Sequence, residues 1–380
     1  MIQPSHAIGT LVCLFFAALM PAHNQDDSPP ALPAFGKAEP MPAMDALFRP
    51  SDGWIGADGA HSFAVTPQRT IWLFSDTWVG KVRNGKRTDA TMVNNTLAVQ
   101  EGQGVKSKVE FIVRKGADGK SAAFITPADG KGFFWLQAGA MFDSKAILFL
   151  SQIEKTADPG AFGFRQIGQW IGIVENPQDV PLSWRIQQHK LANVIFSPER
   201  ILTWGAALLV DGEHLYIFGT DEDRKRGGPD RYLTVARVPL KQAGEVGAWR
   251  YYGKKGWTAD LHQVSRLSGE MASEGSVTYI PALKHYVLVY TQSGLSDKIR
   301  VRTSPQPWGP WSQPATVYQC PDMSWDKRIF CYAAKAHGEQ TMANELIVTY
   351  AANSFDFWHV AADARLYWPR FVRVPIIGEE

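Results

Sequence analysis

The chain has 380 residues, 45% of them hydrophobic and 20% charged, enough apolar material to bury one large core or two ordinary ones. Its 39 basic and 37 acidic side chains nearly cancel. That balance leaves no electrostatic footprint for nucleic acid or an anionic membrane surface and argues against either as the main partner.

The first element in chain order is an apolar stretch from Ile8 to Met20. It is too short to span a bilayer and has the length of a signal-peptide core, with Ala22 at a suitable end for the cleaved piece. The competing reading is a hydrophobic tail, because no Lys or Arg precedes the stretch. Residues 23–43 are rich in Pro and Ala and read as a low-complexity tether, which leaves 44–380 as a single domain. With a leader on residues 1–22 the protein is expected to be exported, periplasmic or extracellular. Cys13 would leave with the leader, so Cys320 and Cys331 remain as a pair. A bridge over so short a loop would contribute ~2 to 3 kcal/mol, and two buried free thiols are the alternative.

From Ser62 onward one supersecondary unit recurs: an apolar strand, a tight polar turn, and a second strand of branched and aromatic residues. It appears as SFAVTPQRTIWLFSDT from Ser62, AGAMFDSKAILFLSQI from Ala138 and GAALLVDGEHLYIFGT from Gly205. It returns as GSVTYIPALKHYVLVYTQ from Gly275 and AAKAHGEQTMANELIVTYAAN from Ala333. Pro67-Gln68, Asp143-Ser144 and Asp211-Gly212 supply the turns. The second strands begin near Ile71, Ile147, Leu215, Tyr286 and Leu346. Intervals of about 60 to 75 residues leave room for two more strands in each unit. Amphipathic helices are scarce, and 33 Gly, 24 Pro and 14 Trp suit a turn-dense chain. The expected fold is all-β, a five-bladed β-propeller of four-stranded antiparallel blades, with a two-sheet sandwich as the alternative.

Pairing within each hairpin is fixed by its turn. It sets Asp58 almost opposite Asp76, Gln137 opposite Ser151, Trp204 opposite Thr220 and Glu274 opposite Gln292. Five hairpins arranged radially gather these open ends at one channel mouth, together with Asp221 and Asn353; the pair Asn94 and Asn95 either reaches it or makes a turn. Amides, acids and an exposed indole are the groups that hold a sugar, and two carboxylates are what glycosidic hydrolysis needs. Asp58, Asp76 and Glu274 are the catalytic candidates, with Glu274 as proton donor and the aspartates as base and orienter. Gln137, Trp204, Asp221, Gln292, Asn95, Asn353 and His337 are the substrate-binding candidates. The competing readings are that Asp58 and Asp76 cap turns, that Glu274 is a salt-bridged edge residue and that His337 is a core histidine. The run from Asp221 to Asp230 lacks the ligand spacing of a calcium loop. No cofactor or metal is called for, although a central structural ion would fit a propeller.

Through GWIGADGAHSF, TIWLFSDTWVG, MVNNTLAVQ, ASEGSVTY, GPWSQPATVY, YAAKAH and ELIVTYAANSFDF, the chain resembles the five-bladed propeller glycosidases from about Pro50 to Pro375. It is most similar to the family known as domain of unknown function 4185, related in fold to glycoside hydrolase families 43 and 32. The resemblance implies a carboxylate at the inner edge of the first blade, matched by Asp58 or Asp76, and an acid on a later blade, matched by Glu274. Families 43 and 32 carry acids on the first three blades, whereas Gln137 and Trp204 stand at those edges here. Some members of the 4185 family look like endo-acting arabinan hydrolases, so the resemblance implies a glycoside hydrolase of a furanose- or pentose-containing, arabinan-like polysaccharide. With the leader the expectation is an exported enzyme, taken as a monomer, and the missing second- and third-blade acids leave a non-catalytic carbohydrate-binding propeller as the alternative.

Overall fold

A computed structural model describes residues 34–157, 162–225, 230–341 and 344–377. The expected leader, Cys13 and the first part of the tether lie outside the described residues. Each repeated hairpin forms the first two strands of one antiparallel sheet, the first lying on the channel side. The second strands read as near-continuous apolar runs because neighbouring sheets cover both of their faces. Trp72, Phe74, Phe149, Phe218 and Tyr290 are fully buried on them, each contributing roughly 1.5–3 kcal/mol as an upper estimate.

Blade 1 is built on Asp52–Thr66, Arg69–Arg83, Thr96–Glu101 and Lys108–Ile112, with Lys86–Val93 extending the second strand's pairing. Blade 2 comprises Phe133–Phe142, Lys145–Lys155, Phe164–Val174 and Ile186–Lys190. Blade 3 comprises Arg200–Asp211, His214–Asp223, Asp230–Pro239 and Arg250–Gly253, with short edge strands at either side. Ser276–Ile280, His285–Thr291, Lys298–Ser304 and Ala315–Gln319 form blade 4. The first strand of each blade touches the first strand of the next, and blade 5 returns to blade 1. This closed ring is the five-bladed propeller expected from the repeats.

Blade 5 departs from the expected boundaries. Ile329–Ala336, Glu345–Ser354 and Arg370–Ile377 supply three strands, and the fourth position is taken by the chain's own N-terminal side. Ala34–Phe35 pairs with Ile376 and Ile377, and Glu39–Pro40 pairs with Val372 and Arg373. The described part of the segment read as a tether is therefore a structural clasp that joins both ends of the chain in one sheet. Its Pro and Ala content concealed this, because an edge strand tolerates Pro where its N–H would face solvent. Cys320 and Cys331 are both buried and free in one apolar cluster. Among the described residues no helix is long and apolar enough to cross a membrane.

Candidate active site

The inner strand of blade 1 is bulged on both sides of Asp58, between Ala57↔Thr77 and Gly59↔Phe74. Gly59 (φ +80) and Ala60 (φ +53) take up the left-handed backbone that this requires, and bulges of this kind re-aim a side chain out of the regular pleat. The expected opposition of Asp58 and Asp76 is thereby kept to within one position, and both carboxylates remain half-buried at the mouth.

Burial, and after it the neighbouring Asp76 carboxylate, pushes Asp58 up to about 8. Tyr332 donates to its Oδ2 at 2.7 Å, and Asn353 Nδ2 donates in turn to the Tyr332 hydroxyl at 3.2 Å. Asp58 Oδ1 is buried, and the Tyr367 side chain is a further hydrogen-bonding neighbour of the carboxyl. Asp76 is raised to about 6, again mainly by burial, with Trp135 and Asn94 beside it opposing the rise. Asn94 Nδ2 donates to Asp76 Oδ1 at 3.2 Å.

Glu274 behaves in the opposite way. Burial works against its charge, yet the Lys335 ammonium and then His61 outweigh that and hold it at about 2. Lys335 Nζ lies 2.9 Å from Glu274 Oε2 and also donates to Ala333 O at 2.7 Å and to Gly59 O. His61 Nε2 stands 3.2 Å from the same Oε2. His61 itself is lowered to about 4 by burial and by Lys335, so it is neutral near pH 7. Lys335 thus bridges the backbone next to Asp58 on blade 1 to the carboxylate of blade 4. Two acids with raised values beside one held ionised is the pattern by which a site separates a proton donor from an anion. Glu274 as resting proton donor, the role expected from sequence, does not agree with this environment.

The other predicted residues divide sharply. Gln137 is half-buried at the mouth and accepts from Gln169 Nε2 at 2.9 Å. Gln292 is half-buried just beyond the second strand of blade 4, with its backbone N–H bonded to Lys298 O at 3.0 Å. Asn353 joins the site through Tyr332. Trp204, expected as an exposed indole, is 1% exposed. It is stacked on Tyr251 at 5.5 Å and donates to Asn193 O at 2.7 Å. A bulge between Trp204 and Ala207 pairs it with Gly219 rather than Thr220, and Gly205 at φ +83 sits where any Cβ would strike the Phe149 ring.

Asp221 is 1% exposed and fully engaged by two arginines, Arg200 Nε at 2.9 Å and Arg266 Nε at 3.0 Å, which makes it a brace of blade 3. Asn95 is also buried away from the mouth, bonded to Ile125 O and Phe134 O at 3.0 and 2.8 Å, so Asn94 is the member of that pair that reaches the carboxylates. His337 is 1% exposed with both ring nitrogens occupied, Nδ1 by Ser62 Oγ at 2.5 Å and Nε2 by Thr349 Oγ1 at 2.7 Å. It lines a cavity of about 480 Å³ shared with Ser62, Thr278 and Lys335 and has the character of a core histidine.

Sequence reasoning missed Tyr332, Lys335 and His61. Lys335 carried a signal: a lysine set among alanines on an inner strand must find a partner or break the core. His61 and Tyr332 carried none beyond their place on inner strands. Among the described residues no group of three or more His, Cys, Asp or Glu side chains is arranged to hold a metal ion.

Fold and site together define a five-bladed propeller with carboxylates of contrasting protonation at one end of its channel. The chain belongs to the family described as Domain of unknown function (DUF5005), whose model matches residues 42–376. The matching family is thus not the domain of unknown function 4185 that the motifs resembled. No curated protein matches the chain. Among solved structures it is similar to a "putative hydrolase" from Bacteroides ovatus, at 18% identity and a TM-score of 0.68, covering 89% of this chain and 90% of that one. It is also similar to the GH43_1 enzyme from Xanthomonas citri complexed with xylotriose, at 14% identity and a TM-score of 0.46, covering 88% of this chain and 92% of that one. The first likeness supports the propeller fold.

Proposed function

We propose that the protein is an exported, monomeric glycoside hydrolase acting on a furanose- or pentose-containing polysaccharide of the arabinan kind. The observation that carries this reading is the gathering of three carboxylates at one channel mouth in opposed surroundings: Asp58 bonded by Tyr332, Asp76 by Asn94, and Glu274 held 2.9 Å from the Lys335 ammonium. Glycosidic hydrolysis needs a protonated acid at the leaving oxygen and an ionised carboxylate that attacks the anomeric carbon or activates water. Asp58, held neutral at pH 7, supplies the proton. Glu274 is the ionised carboxylate, and Lys335 and His61 both engage its Oε2 alone. Asp76 sustains the high affinity of Asp58 for its proton. Export rests on the apolar stretch from Ile8 to Met20.

Purified protein assayed on arabinan, xylan, fructan and galactan tests the reading. Asp58→Asn and Glu274→Gln are each expected to lower hydrolysis by about 10²–10⁴-fold with the fold intact. Undiminished activity in both variants would refute the site assignment. The tight Lys335–Glu274 pair favours one second reading, a propeller that binds carbohydrate without cleaving it; calorimetric binding of the same polymers with no product release would support that.

A further inference from the structure

The two aspartates lie between aromatic groups contributed by the blades on either side. Trp135 of blade 2 stands beside Asp76, and Tyr332 of blade 5 bonds Asp58. An unbroken series of ring contacts joins those two side chains. Trp135 meets Phe164 at 4.5 Å between centroids, and Phe164 meets Phe162 at 6.3 Å. Phe162 then meets Phe330 at 6.0 Å and Phe355 at 5.9 Å, and Phe330 meets Tyr332 at 5.3 Å. Phe330 and Phe355 close on each other at 4.7 Å.

Rings at about 4.5–7 Å between centroids are in contact, so no sugar residue passes between them. Ordinary propeller packing joins each blade to the next. Here Phe162, just before the strand Phe164–Val174 of blade 2, touches Phe330 and Phe355 of blade 5, which is not next to blade 2 in the ring. The packing of successive blades gives no reason for that contact. Phe162 and Phe355 are each 48% exposed, whereas Phe330 beneath them is 3% exposed, so the series offers two free rings seated on a buried one, and exposed apolar groups clustered in this way mark binding surfaces.

We infer that the aromatic bridge Trp135–Phe164–Phe162–Phe330–Tyr332 is a wall that closes the mouth on the blade 1 side, so that the site takes the end of a polysaccharide and cleaves in exo fashion. The inference rests on the glycoside hydrolase reading. A chain entering from the blade 3 and 4 side meets the wall within the reach of Asp58 and Asp76 and cannot run past them. The ring faces offer stacking for the C–H surface of the terminal sugar, while Asn94, Asn353 and Gln137 provide polar contacts for its hydroxyls.

The experiment follows viscosity and new reducing ends together on linear arabinan, xylan and galactan. The wall predicts that the wild-type protein generates reducing ends with little loss of viscosity and releases products of one short length. Phe162→Ala, and separately Phe355→Ala, should raise the viscosity lost per bond cleaved several-fold and broaden the product lengths. A wild-type protein that thins the polymer rapidly and yields mixed lengths overturns the inference and leaves the hydrolase reading standing. So do variants whose product lengths stay unchanged while circular dichroism shows them folded. If none of the polymers is cleaved, calorimetry of Asp58→Asn with arabinohexaose and with high-molecular-mass linear arabinan separates the cases. Equal binding per mass of polymer shows sites along the chain and overturns the wall, binding in proportion to chain ends supports it, and no binding to either overturns the hydrolase reading and the wall with it.

Discussion

Blade 3 and the junction of blades 1, 4 and 5 hold the same kinds of residue at the same end of the propeller, and their chemistry differs because of what surrounds each carboxylate. On blade 3, Asp221 is grasped by Arg200 and Arg266, Glu222 by Arg231 at 2.8 Å and Arg224 at 3.1 Å, and Asp223 by Arg266 at 3.1 Å. Each of these three acids is matched by a guanidinium, and Trp204 nearby is sealed against Trp249 and Tyr251. At the junction, two aspartates share the mouth with no arginine among the described residues paired to either, and Glu274 is the carboxylate that Lys335 engages, its other bonds going to backbone carbonyls. Matched charges brace a blade, while unmatched burial shifts proton affinities and makes a reactive site. An acid at a channel mouth is therefore a catalytic candidate only once its cations have been counted.

Lys335 is where this contrast breaks most easily. Lys335→Met should destabilise the fold by about 3–5 kcal/mol, because it strands Glu274 as an uncompensated charge; denaturant titration measures it. Glu274 should simultaneously move up from its depressed value, seen as loss of activity at acidic pH. A variant as stable as the wild type would show that the ion pair is not the keystone of the junction.

Arg266→Met probes the other side of the comparison. It removes one of two guanidinium partners of Asp221 and a contact 4.6 Å over the Tyr232 ring, with an expected cost of about 1–3 kcal/mol. The pH dependence of hydrolysis should not move. A shifted profile would place blade 3 inside the catalytic machinery and erase the distinction.

The pH dependence itself sharpens the roles. Asp58 must be protonated to donate, so activity should fall as pH rises through about 8. Asp76→Asn removes the second-largest cause of that elevation, so the alkaline limb should move to lower pH. Stability follows the same sign. The folded value of Asp58 lies above the ordinary 3.8, so its contribution is complete below that pH and is lost as pH rises toward 8. Asp58→Asn should flatten the decline in Tm over that window. The smallest effect is expected from Asn94→Ala, which loses the 3.2 Å bond to Asp76. It should cost about 0.5–1.5 kcal/mol and raise the Asp76 value slightly.

Much of the architecture was legible because hairpins are local. Turn residues and apolar runs located the second strands to within a residue or two, at Arg69, Lys145, His214, His285 and Glu345. The same arithmetic brought Asp58 to Asp76. It faltered where bulges add residues, as at Trp204, and at Glu274, which precedes the strand Ser276–Ile280 and has no ladder partner. Burial of Trp204 by Tyr251, pairing of Asp221 with Arg266 and capture of Glu274 by Lys335 all join residues more than forty positions apart. Hairpin pairing constrains none of these contacts. The N-terminal clasp escaped notice because a two-residue edge strand has no pattern to read.

Site-resolved titration of the carboxyl groups by carbon-13 NMR tests the central claim most directly, with Asp58→Asn and Glu274→Gln assigning the signals. Asp58 should keep its proton until about pH 8 while Glu274 stays ionised down to about pH 2. Both groups titrating together near the ordinary carboxylate value would contradict it.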